Sequence, residues 1–141
     1  MSSSFIAFNN KGHWIPDGYN ELIARYLVQC VDDASYKPGW LLAMRERFIE
    51  IAQGYFNGWN NFGFDDYLND DPDNIKYFKQ ILDDSIDLLH RVGPTISKDE
   101  LNSFIVPQHL KSNWTKDVET SELIELIEKI KAIFPNQELN T

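Results

Sequence analysis

The sequence predicts an all-α fold, an irregular bundle of four main helices with one or two short helices. Three observations predict it. Apolar residues recur at helical spacing in four separate stretches. Pro and Gly fall between those stretches as punctuation, with no internal repeat and no low-complexity linker. Strand patterns are poor, and the best extended candidate, Phe5-Ile6-Ala7-Phe8, is too short to define a sheet. The 141 residues fit one helical domain over 1–141, with residues 1–16 and 136–141 as peripheral segments. Aromatics are plentiful at 13%, so the chain can bury a core without disulfide or metal staples.

The first helix is expected from about Tyr19 to Val31, after the Asp17-Gly18 turn. Leu22, Ile23, Tyr26, Leu27, Cys30 and Val31 share one face, which makes Cys30 a small buried residue rather than a reactive thiol. Pro38-Gly39 interrupts, and a second helix runs from about Trp40 to Phe56. Its apolar arc is wide enough for a central position, and Arg47 and Glu50 can pair across its polar side. Gly54 to Phe64 forms an aromatic-rich loop, and Asp65 to Leu68 a short helical turn.

The third helix opens at Pro72. Asp71 is a good N-cap, Pro stands in the favoured first position, Asp73 suits the positive end of the dipole, and Gly93-Pro94 ends the helix. Ser97 and Glu100 form a capping box for a short helix that carries Leu101, Phe104 and Ile105 and stops at Pro107. Trp114 anchors the less regular stretch that follows. The last helix spans about Ser121 to Phe134 with Thr120 as N-cap.

The formal net charge is −9, from 13 basic and 22 acidic residues. That balance disfavours nucleic acid and anionic lipid as partners and favours a basic surface. Cys30 is the only cysteine, so neither an intramolecular disulfide nor a Cys-rich zinc site is available. No signal peptide or transmembrane segment is legible, and the expected compartment is the cytoplasm.

No cofactor or metal site is expected. His13, His90 and His109 are far apart and lack ligand spacing. The run Asp65 to Asn74 fails the calcium-loop pattern in every register, lacking Gly at the sixth place and Glu at the twelfth. Neither a phosphate-binding loop nor a nucleophile elbow is present, and the chain is expected not to be an enzyme.

The informative feature is where the charge lies. Residues 60–90 contain eight acids against Lys76 and Lys79, which is two-thirds of the whole net charge. Asp71 and Asp73 are explained by capping, while Asp83 and Asp87 can pair with Lys79 and Arg91 at helical spacing. Asp65, Asp66, Asp70 and Asp84 have no such local reason, and they are read as adjoining the loop that contains Trp59, Phe62, Phe64 and Tyr67. Aromatic anchors ringed by acids suit recognition of a basic protein. The alternative is that the aromatics are core and the acids their solvated rim. The candidate partner-binding residues are Trp59, Phe62, Asp65, Asp66, Tyr67, Asp70 and Asp84.

Size, the acidic stretch Asp65 to Asp73, the aromatic loop Gly54 to Phe64 and the lack of catalytic motifs resemble the immunity proteins of bacterial contact-dependent growth inhibition systems. The resemblance is one of general character and transfers no residue roles. It implies tight, specific binding to a cognate toxin domain, often a nuclease. The competing expectations are an adaptor or scaffold subunit of a larger assembly and, behind it, a small-molecule enzyme.

Overall fold

The computed structural model describes residues 3–54, 61–103 and 114–135. The chain opens on an antiparallel hairpin of β1 (Ser3–Phe8) and β2 (Lys11–Pro16). Then come α1 (Asp17–Asp33), α2 (Gly39–Ala52), α3 (Phe64–Leu68) and α4 (Pro72–Val92). The order closes with β3 (Thr95–Ile96), α5 (Lys98–Asn102), β4 (Val118–Glu119) and α6 (Thr120–Ala132). The all-α expectation is therefore corrected. Among the described residues, six helices combine with two small antiparallel sheets in an α+β arrangement.

Local chemistry accounts for the hairpin. Asn9 and Asn10 take φ of 51° and 67°, the positive values that a tight two-residue connection of the I′ class needs at both central positions. Asn tolerates this conformation better than other side chains. Alternation then sorts the strands. Ser4, Ile6, Phe8 and Ile15 are buried, while Phe5 and Trp14 face out. The segment expected to be peripheral thus supplies three apolar side chains to the core. Ser4 Oγ donates to Asp17 Oδ1 at 2.5 Å, tying the hairpin to the start of α1.

The second sheet has two residues per strand, pairing Thr95 with Glu119 and Ile96 with Val118. Thr120 stands beside it as the first residue of α6 rather than as the expected N-cap. Its amide donates to Pro94 O at 3.0 Å and its hydroxyl to Gly93 O at 2.6 Å. The sheet thereby clips the end of α4 to the start of α6.

Helix α1 packs against α2, α4 and α6, and α4 also packs against α6. The α4 start matches the sequence reading. Asp71 Oδ1 accepts from the amides of Asp73 at 2.9 Å and Asn74 at 3.4 Å, and Pro72 stands at the first position. Ser97 Oγ likewise accepts from the Glu100 amide at 3.2 Å and caps α5. Helix α2 ends at Ala52; Phe56, Phe104, Ile105 and Pro107 lie outside the described residues. Trp114 is half-buried against Tyr19, with ring centroids 6.1 Å apart.

An aromatic cluster joins the hairpin, α3, α4 and the end of α6. Phe64 lies 5.3 Å from Phe78 and 5.2 Å from Phe134, and Phe8 lies 4.9 Å from Phe134, all between ring centroids. Phe62 stacks on Phe64 at 5.4 Å with only 4° between the rings. This cluster is the platform beneath the acidic turn.

Candidate binding surface

The acidic turn is built from the core outward. Gly63, at φ 72°, brings the chain into α3. A Cβ at Gly63 would stand 2.7 Å from Cε2 of Tyr67, so the half-buried tyrosine ring lies directly over the glycine. Phe64 and Leu68 point inward and Asp65 and Asp66 point out. Asn69 and Asp70 then take φ of 54° and 57°, a left-handed pair that reverses the chain into the Asp71 cap of α4. The result is five exposed carboxylates on one tight turn: Asp65, Asp66, Asp70, Asp71 and Asp73. Among the described residues none of the five joins an ion pair.

The hairpin holds this turn in place. The Asn9 amide donates to Asp65 Oδ1 at 3.0 Å, and Asn9 Nδ2 donates to Asp70 Oδ1 at 3.5 Å. Asn74 Nδ2 donates to Leu68 O at 3.3 Å, closing the loop onto α4. Two carboxylates that lacked a local reason in the sequence thus have a structural one, and both keep an exposed face.

No protein-family model, no curated protein and no solved structure matches this chain.

The structure separates the residues that the sequence grouped. Asp65, Asp66 and Asp70 come together on the turn, with Tyr67 half-buried beside them. Phe62 is 2% exposed and belongs to the core. Trp59 lies outside the described residues. Asp84 is elsewhere: it follows Asp71 by thirteen helical residues, about 20 Å along α4. There it accepts from Gln80 Nε2 at 3.0 Å. Asp83 does not use Lys79. It takes Lys131 of α6 at 2.7 Å, while Lys79 donates to Pro135 O at 3.3 Å. The local pairing expected along α4 is replaced there by contacts across helices.

Asp84 lines a cleft of about 170 Å³ with Cys30, Asp33, Ala34, Asp87, Leu88 and Arg91. Burial pushes the Cys30 thiol from 9.0 up to about 12, and the nearby Asp84 and Asp33 charges push the same way. It is a packed thiol, not a nucleophile. In the folded protein Cys30 should resist a disulfide reagent at pH 8, and after denaturation it should react at the rate of a free thiol. Above about pH 9 the unfolded thiol ionises while the folded one stays protonated. Its contribution to stability is therefore full below that pH and is lost as pH rises toward about 12. Prompt labelling of the native protein at pH 8 would contradict this.

A second groove, of about 330 Å³, lies between α1 and α2 and is lined by Arg25, Val28, Gln29, Asp32, Ile49, Ala52 and Gln53. Its carboxylate is committed, because Arg45 Nε donates to Asp32 Oδ1 at 2.6 Å and Arg45 Nη2 to Asp32 Oδ2 at 3.3 Å. Among the described residues no group of three or more His, Cys, Asp and Glu is placed to hold a metal ion. None of the described helices is long and apolar enough to cross a membrane.

The sequence reading missed the outer face of the hairpin. Trp14 is 70% exposed and Phe5 42%, and their ring centroids lie 5.4 Å apart. The signal was available in Asn9-Asn10, flanked by Phe5 to Phe8 and by Gly12 to Ile15, as a tight turn between two short extended segments.

Proposed function

We propose that this chain is an immunity protein, acting in the cytoplasm, that binds and neutralises a cognate toxin domain with a basic surface, such as a nuclease. The observation that carries this reading is the acidic turn of α3 and α4. Five carboxylates are exposed on it, hydrogen bonds fix those of Asp65, Asp70 and Asp71 in position, and none of the five joins an ion pair among the described residues. Exposed charge that joins no internal ion pair is available to a partner. A nuclease presents cations to phosphate, so a protein with a preformed acidic surface can occupy that site and exclude the substrate. The negative field speeds encounter, and buried apolar contacts set the lifetime of the complex. The chain on this reading binds and does not catalyse.

The test begins with affinity capture from the native cell and identification of the bound protein. The expected result is one stoichiometric basic protein that arrests growth when expressed alone and does not when this chain is co-expressed. Association kinetics then address the turn. Replacing Asp65, Asp66 and Asp70 together by Asn removes three charges and keeps an acceptor oxygen for Asn9. The association rate should fall roughly tenfold at low salt, with a weaker salt dependence. A wild-type rate indifferent to salt would remove electrostatic capture from the mechanism.

The exposed Phe5 and Trp14 also favour a second reading, an adaptor subunit of a larger assembly. Capture of several subunits together, none of them toxic alone, would select it.

A further inference from the structure

We infer that the outer face of the β1–β2 hairpin is the anchoring surface for the partner, seating an apolar and arginine-bearing segment of a basic protein. This rests on the proposed binding of a basic partner and names where that partner is held.

The register defines the face. Directly paired residues project to the same side, so Phe5 with Trp14 and Ala7 with Gly12 point away from the core, while Ile6 with His13 and Phe8 with Lys11 point the other way. The two basic-type side chains of the strands, Lys11 and His13, therefore leave the outer face. What remains there is uncharged: an aromatic ridge, Phe5 and Trp14, beside the small residues Ala7 and Gly12. A Cβ at Gly12 would stand 2.0 Å from the Ile6 carbonyl oxygen, so no side chain can rise at position 12 beside the ridge without moving the strand.

Charge selects the occupant. The hairpin turn is bonded to Asp65 and Asp70 through Asn9, so the acidic turn lies at the turn end of the hairpin. From Asn10 to Trp14 is about 13 Å along the strand. An interface of ordinary size covers about 800 Å² on each partner, enough to take in both the ridge and the turn. A second copy of this chain also carries a net charge of −9, which disfavours its approach. A basic partner is attracted, its guanidinium groups can lie over the Trp14 ring, and its apolar side chains fit beside Phe5. Tryptophan in a desolvated centre with charge at the rim is the usual distribution of binding energy at such interfaces.

The probe is a short peptide of alternating arginine and leucine, titrated into the full chain and followed by NMR, with a glutamate–leucine peptide as control. The expected result is saturable shifts at the Trp14 indole N–H and at the amides of Phe5, Ala7, Gly12 and Trp14. Affinity should weaken roughly tenfold in the Phe5→Ser, Trp14→Ser double variant and stay within about twofold of wild type in Leu42→Ala, an equally exposed apolar site on α2. Both altered residues are exposed, and an unchanged circular-dichroism spectrum confirms folding. Shifts confined to residues 65–73 would overturn the hairpin as anchor and leave the basic-partner reading standing. No response, or an equal response to the acidic peptide, would overturn both. Shifts at Trp14 on concentrating the chain alone would show a self-association face and overturn the proposal.

Discussion

Phe64→Ala is expected to cost about 3–5 kcal/mol of folding stability. The ring is 1% exposed and meets Phe62, Phe78 and Phe134 within 5.2–5.4 Å, so truncation leaves a cavity among large side chains. Those neighbours come from three parts of the chain and cannot all close inward at once. Urea unfolding should show a lower midpoint with an unchanged slope. Phe64→Leu keeps most of the volume and should cost clearly less. The experiment also decides between the two readings of the aromatic segment. Aromatics serving mainly as partner anchors would leave stability nearly untouched when truncated, whereas core aromatics lower it steeply. A loss under about 1 kcal/mol, the range of ordinary surface changes, would return Phe64 to the surface. The effect reaches function as well. Phe64 opens α3, so loosening it slackens the turn that holds Asp65, Asp66 and Asp70.

The parts of this fold that were legible are those in which local chemistry and global packing agree. Helix α4 is the clearest: Asp71, Pro72 and Gly93 mark its ends, and the observed span, Pro72–Val92, follows from them. Ser97 and Glu100 announced α5 for the same reason. The strands escape apolar periodicity because the information that specifies them lies in a turn. Asn9 and Asn10 specify the hairpin through positive φ, which apolar periodicity does not register. Strands β3 and β4 have no period at all; each has two residues, and their partners lie 22 and 24 positions away. The site divides the same way. Exposure of Asp65, Asp66 and Asp70 followed from their charge, but their anchoring did not, since Asn9 reaches Asp65 across 56 residues. Charge count groups Asp84 with them, but about 20 Å of α4 separates it from the turn. Phe62 could be read as anchor or core, and only packing distinguishes the two.

Gly12→Ala should be the most damaging small change on the surface, with an expected loss of about 3 kcal/mol and a melting point lower by roughly 10 °C. Its added methyl would stand 2.0 Å from Ile6 O and 2.8 Å from the Cα and Cβ of Ala7. The nearest of these atoms is backbone, so no rotamer change relieves the contact. The strands must separate, and the Ala7–Gly12 and Ile6–His13 pairings go with them. Gly39→Ala is the matched control. Its Cβ meets nothing within 4 Å at the first position of α2, so the lower chain entropy of alanine should leave stability unchanged or raise it slightly. The consequence for binding follows from position. Separation of β1 and β2 splits Phe5 from Trp14 and frees Asn9 from Asp65 and Asp70, so one methyl group disrupts both the aromatic ridge and the acidic turn. At a temperature where Gly12→Ala remains folded, its affinity for a basic partner should fall further than in either the Trp14→Ser or the Asp65→Asn variant alone. Equal affinity in Gly12→Ala and wild type would mean that neither element depends on the hairpin, and the shared anchoring through Asn9 would have to be abandoned.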